Sequence, residues 1–300
     1  MISRVTQQTV QKSTLANLQL NLSRMSDLQG RLSGGKLITK PSDDPGGTAS
    51  TLQLRASQRA AEQVARNVDN GIGWLGTVDS ALQTSLDSLR RARDLTVQGA
   101  NGSMSGQARD AIAVEIEGIR NAMLSEANTS FLGRSVFAGT SNTGVAFTTD
   151  YAHQGAPGSS VERRISSDAT VRVDVDGSAV YGQGPWDPVT ATGSVFGLLD
   201  QIAADLRAGL PVSDHLAHLD TRRNSMLGEL GAVGSRYGRL ETVQQGVQKT
   251  IMDLKGQVSA IEDIDLAETM VELQSQEVAY QAALGATARV LQPSLLDFLR

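Results

Sequence analysis

Apolar residues in this chain fall into long strips stepped alternately three and four residues apart, the spacing that lets one helix lie along another. Near the start the strip runs Leu15, Leu18, Leu22, Met25, Gln29 and Leu32. Near the end it runs Leu266, Met270, Leu273, Glu277, Tyr280, Leu284, Thr287 and Leu291. Narrow strips at opposite ends of one sequence imply that the two ends meet, and that they form a seam for assembly rather than a catalytic pocket. The candidate seam residues are therefore Leu15, Leu18, Leu22, Met25, Leu32, Leu266, Met270, Leu273, Tyr280, Leu284 and Leu291.

Between the strips the punctuation predicts a mainly helical chain. A first helix over about 3–33 stops at Gly34-Gly35. Ser42-Asp43-Asp44-Pro45 reads as a helix start, with Ser42, Asp43 or Asp44 capping orphan amides and Pro45 in the first turn. The helix that follows, over about 45–98, would span on the order of 80 Å. That length suits a rod and not a compact globule. A third helix over 106–128 carries the stripe Ile112, Ile116, Ile119 and Met123.

After Phe131 the texture changes: Gly, Ser and Thr become dense and apolar residues alternate. In 171–181, Asp176-Gly177 lies between two alternating runs, a hairpin pattern. Helical texture resumes at Ser194, pauses near Pro211, and carries a long strip from Leu219 to Ile261. The register slips at 262–265, where Asp265 and Glu268 form a capping-box-like pair. A final helix should reach Gln292-Pro293, leaving 294–299 as an apolar tail. The expected fold is mainly α: a rod of long antiparallel helices from both chain ends, with a small β-rich domain inserted in the middle. Its expected parts are 1–42 with 262–300 as terminal coiled-coil helices, disordered before assembly, 43–135 with 194–261 as the helical rod, and 136–193 as the insert.

Composition narrows the chemistry. The absence of cysteine excludes disulfides, thiol nucleophiles and thiolate metal sites. A net charge of -5 argues against an extended nucleic-acid footprint, so Arg90, Arg91 and Arg93 read as a solvated helix face. No apolar run approaches the roughly 18 residues of a membrane span, and 1–8 lack the apolar core of a secretory signal. No membrane insertion is expected, and any export would use a route without a cleaved signal peptide. Gly71, Gly73 and Gly76 match a dinucleotide fingerprint in spelling, but they continue a helical strip where that fingerprint needs a strand before it. Asp174 and Asp176 lack the other ligands of a calcium loop, and His215 and His218, with Asp214 and Asp220, read as an exposed helix start. No catalytic, cofactor or metal residue is assigned, and no enzyme activity is expected.

Three segments carry a family resemblance. Leu32-Ser33-Gly34-Gly35-Lys36 through Ser42-Asp43-Asp44-Pro45, Asn67-Val68-Asp69-Asn70-Gly71-Ile72, and Leu95-Thr96-Val97-Gln98-Gly99-Ala100-Asn101-Gly102 resemble the N-terminal signatures of the flagellin superfamily. The likeness covers roughly 1–140 and 215–300 and is absent from the insert. Within the superfamily, Val136-Phe137-Ala138-Gly139-Thr140 and the end Ser294-Leu295-Leu296-Asp297-Phe298-Leu299 are similar to the branch that joins hook to filament. Gly46-Gly47 departs from the Ala-Gly more usual there. The resemblance implies an extracellular subunit of the bacterial flagellum, exported unfolded by the flagellar type III apparatus with an export chaperone on its C-terminal region. It would self-assemble into a ring between hook-associated protein 1 and flagellin. The other reading is a flagellin-type filament subunit.

Overall fold

The computed structural model describes residues 7–156 and 158–291. In chain order these form α1 (Gln7–Gly34), α2 (Pro45–Gly99), α3 (Gly106–Ala127), β1 (Ser130–Phe131), β2 (Arg134–Ser135), β3 (Glu162–Arg164), β4 (Thr170–Arg172), α4 (Gly177–Tyr181), α5 (Val195–Ala208), α6 (His215–Glu262) and α7 (Leu266–Leu291). The fold is mainly α, with a small strand-containing middle region.

The helix ends are set by identifiable groups. Gly35 ends α1 at φ 67, in the left-handed region where a side chain would be strained. Ser105 Oγ accepts from Ala108 N at 3.2 Å and Ser194 Oγ from Gly197 N at 3.1 Å, capping α3 and α5. Gly209, at φ 71, closes α5. Asp265 accepts from Ala267 N at 2.8 Å and Glu268 N at 3.2 Å, and so opens α7.

Two compact units result. One is built from residues up to Arg59 together with those from Ile251 onward; the other is 60–250. Residues 43–59 and 251–261 thus belong with the terminal helices.

The central unit holds a continuous apolar core. On α2 it includes Val68, Leu75, Leu82 and Leu89 at heptad spacing, with Trp74, Val78, Ala81 and Leu86 beside them, and on α6 Leu219, Met226, Val233 and Leu240 at the same interval. Asp69 meets Gln244 and Arg93 meets Asp220, so α2 and α6 run antiparallel here. α3 packs on α5. Phe137, Phe147, Tyr181 and Phe196 close the far side as an aromatic cluster with ring centroids 5.4–5.7 Å apart. Mostly edge-on contacts of this kind favour one arrangement over a loose pile. Tyr181 hides its hydroxyl against Ser85 Oγ at 2.9 Å, and burial pushes its phenol well above the usual value.

The hairpin expected at 171–181 is not there. Asp176 accepts from Ser178 N at 2.9 Å and caps the short helix α4, so Asp-Gly starts a helix instead of turning a strand. An aspartate before glycine suits a cap as well as a tight turn, and burial of Val180 and Tyr181 selects the helix. The chain pairs one step earlier, β3 with β4 in antiparallel register Glu162↔Arg172 and Arg164↔Thr170.

Candidate assembly surface

In the terminal unit α1 and α7 lie side by side. Asn21 meets Gln276, and Lys36 meets Asp263, so the helices run in opposite directions. The residues turned inward on α1 are Thr14, Leu18, Asn21, Met25, Leu28 and Leu32; on α7 they are Thr269, Leu273, Gln276, Tyr280, Ala283 and Thr287. Both sets step by four and three, as two helices in register must.

Of the candidate seam residues, Leu18, Met25, Leu32, Leu273 and Tyr280 lie in this interface. Leu15, Leu22, Leu266, Met270 and Leu284 do not, and remain 44–62 % exposed. Leu291 is the last residue of α7 and its side chain lies outside the described residues, as does the predicted tail 294–299. The split has a simple geometry. At alternate steps the interface takes the residue one position away from the apolar strip, a rotation of about 100° around the helix. Inside go Thr14, Asn21, Thr269 and Ala283; outside stay the leucines and methionine beside them. The apolar strip is thus wider than the helix pair covers.

Where α1 and α7 meet the rest of their unit, both breaks in the chain are tied together. Leu37 N donates to Glu262 O at 2.6 Å and Ile264 N to Gly35 O at 3.3 Å. Lys36 Nζ reaches Glu262 at 3.1 Å and Asp263 at 2.7 Å, while Arg55 Nη2 reaches Glu262 at 2.6 Å. Glu262 is buried and carries two cationic partners. Hydrogen bonds to Asp263 and Glu262 raise the Lys36 ammonium above its ordinary value, and Lys36 and Ser259 hold the Asp263 carboxyl below its own. Sequence reasoning missed this knot. Its one available signal was opposite charge at the two helix breaks, Lys36 on one and Glu262-Asp263 on the other.

The signature acids divide their work. Asp43 Oδ2 accepts from Thr39 N, Thr39 Oγ1 and Lys40 N at 2.9–3.1 Å, folding the loop before α2. Asp44 stands in the cap position, its carbonyl taking Thr48 N at 2.9 Å. Its carboxylate lies so close to Gly47 that a Cβ there would fall 2.3 Å from Oδ2. Ser42 is exposed.

The remaining candidates resolve individually. Arg90, Arg91 and Arg93 pair with Asp87, Glu115 and Asp220. Gly71 and Gly73 lie within α2 as close-approach points: a Cβ on the first would meet Leu240 Cδ1 at 2.9 Å, on the second Phe131 Cζ at 2.8 Å. Gly76 faces open space. His215 Nε2 bonds Asp205 at 2.7 Å, whereas His218 lies against the Trp186 ring, so the two histidines serve separate neighbours. Asp174 is buried under Arg172 and Val161 N.

The bacterial flagellin N-terminal helical region matches residues 5–142, and the C-terminal helical region of the same family matches 216–299. The chain belongs to the flagellin family, whose members are structural proteins of the bacterial flagellum. The flagellar filament 33 kDa core protein of Treponema phagedenis is 26% identical over 294 residues, 96% of this chain and 95% of that protein. A Vibrio parahaemolyticus chain provisionally described as a flagellar hook-associated protein superposes with a TM-score of 0.66 at 21% identity, covering 74% of this chain and 100% of its own. Flagellar hook associated protein-3 of Legionella pneumophila gives 0.60 at 15% identity, with 70% and 98% covered. At those identities the two structures share the fold. Among the described residues no helix is long and apolar enough to cross a membrane.

Proposed function

We propose that this chain is the hook–filament junction subunit, hook-associated protein 3: an adaptor ring between hook-associated protein 1 and the first flagellins. The observation that carries the reading is the fold held in common with hook-associated chains. The Val136–Thr140 step supports it. Val136, Phe137 and Ala138 are buried, and Gly139, at φ 55, sits where a Cβ would meet Ser159 Oγ at 2.4 Å. A filament subunit is the second reading, favoured by a filament core protein that aligns over almost the whole chain.

On this reading Leu15, Leu22, Leu266, Met270 and Leu284 are the outer half of the assembly seam, covered by neighbouring copies. Burying them supplies the drive for polymerisation. The subunit is exported unfolded through the flagellar type III apparatus, its C-terminal region held beforehand by an export chaperone, and works outside the cell. Deleting the gene decides between the readings. Loss of an adaptor leaves hooks without filaments and flagellin free in the medium; loss of a filament subunit leaves no flagellin there. Label on the whole filament, and not at its base alone, would sink the junction reading.

A further inference from the structure

In the central unit Arg90, Arg91, Arg93, Arg120, Arg172, Arg207, Arg223 and Arg236 each form an ion pair with a carboxylate. Among the described residues Arg134 and Arg163 form none, and they share one platform. Their guanidinium carbons stand 5.8 Å and 5.7 Å from the centroid of the Trp74 ring, which is 2 % exposed. Arg163 Nε donates to Asn70 Oδ1 at 2.8 Å and its Nη1 to Glu162 O at 3.1 Å; Arg134 Nη2 finds only Gly139 O at 3.5 Å. All of these partners are neutral. Burial and the charge of Arg134 together hold the Arg163 guanidinium below its usual value. Trp74 Nε1 and Arg134 Nε are buried here without a hydrogen-bond partner among the described residues. Both atoms can only donate. The pair stands unneutralised on a chain of net charge -5.

Like charges held on one ring repel, and contact with the ring face offsets only part of that. A patch short of an acceptor, and rich in planar donors that grip carboxylates two oxygens at a time, calls for an oxyanion. We propose that Arg134 and Arg163, stacked on Trp74, form a carboxylate-binding site occupied by an acidic side chain of a neighbouring copy of this chain. Charge complementarity selects that occupant, because each copy brings a net negative surface to this positive patch. The inference rests on assembly within the flagellum and holds for a junction ring or a filament alike.

The test uses the full chain with Arg134→Met and Arg163→Met, which keep aliphatic cover on Trp74. The isolated variant should keep its helical spectrum and its Tm, or gain a few degrees, because a repulsion is gone. Complementing the deletion strain with it should lower incorporation into flagella at least tenfold, while export to the medium stays normal. Arg134→Lys with Arg163→Lys, which keeps charge and loses the planar fork, should recover part of the incorporation. A photo-crosslinker at position 134 should link to an Asp- or Glu-bearing segment of another copy. A fallen Tm with normal incorporation would show a purely structural pair and overturn the site. So would crosslinks to hook or filament partners only, or a Tm rise of the wild type in millimolar sulfate that the copy–copy arm does not match, which would mark a small-oxyanion site. Label position along the flagellum tests the junction reading separately, since incorporation at any position satisfies this one.

Discussion

The two units bury different things. Every buried apolar side chain among the described residues lies between Val68 and Leu240, inside the central unit. In the terminal unit the buried residues are Thr51, Glu262 and Thr269, all polar. The same unit exposes Leu15, Leu22, Leu52, Met252, Leu266, Met270 and Val278. One unit therefore closes on itself, and the other presents its apolar surface outward. Hydrophobic burial stabilises a fold only where water is displaced, so the central unit carries its stability within the chain and the terminal unit depends on what covers it.

That contrast can be broken by substitutions that should act on one unit alone. Phe196→Ala removes a ring from the aromatic cluster and should cost about 3–5 kcal/mol of unfolding free energy, read from a denaturant midpoint. A cost below about 1 kcal/mol would mean the core is looser than its packing. Leu284→Asp should leave the same unfolding transition within about 0.5 kcal/mol and abolish incorporation, since a charge sealed into a seam lacks a partner. Normal flagella carrying that variant would refute the outer seam.

Alkaline titration sharpens the comparison from the core side. The Tyr181 phenol is raised in the folded chain above the unfolded value of about 10. Its contribution is therefore complete below that pH and declines as pH climbs toward the folded value. Tyr181→Phe should flatten the fall in stability above about pH 10, at some cost at neutral pH from the stranded Ser85 hydroxyl. An unchanged alkaline limb would exclude this group as its source.

The smallest effect belongs to the terminal unit. Lys36→Met should lower global stability by no more than about 1 kcal/mol, the range of exposed ion pairs. Hydrogen exchange of the Leu37 and Ile264 amides should nevertheless speed up. Asp263 is depressed in the folded chain, so its share is present above the ordinary carboxylate range and fades as pH drops through the folded value. In the wild type, those two amides should lose protection on acidification; protection independent of pH would remove Asp263 from the knot.

Much of this was legible in the residues themselves. Gly34-Gly35, the resumption at Ser194 and Asp265 mark helix ends by chemistry local to a few residues, so their spacing suffices to place them. The interface between α1 and α7 was half legible. Periodicity identifies an apolar strip, but which edge of it faces the same chain depends on how far α7 is rotated about its axis, and no residue spacing encodes that. The hairpin failed because Asp176-Gly177 satisfies two local grammars, and burial of Tyr181 against a distant Ser85 chose between them. The knot and the arginine platform were invisible for a related reason. Lys36, Arg55 and Glu262, like Trp74, Arg134 and Arg163, come from remote parts of the chain, and only the fold makes them neighbours.

The stitched breaks at Gly35–Leu37 and Glu262–Ile264 have a mechanical corollary. A single interrupted helix is a loose wrist that swivels in any direction. Two interruptions laid abreast and laced by crossed amides and a shared lysine permit only motions that carry both limbs together. Torque entering one terminal helix at that level must be handed across to the other, so the pair yields as one sprung joint and does not fray one limb at a time.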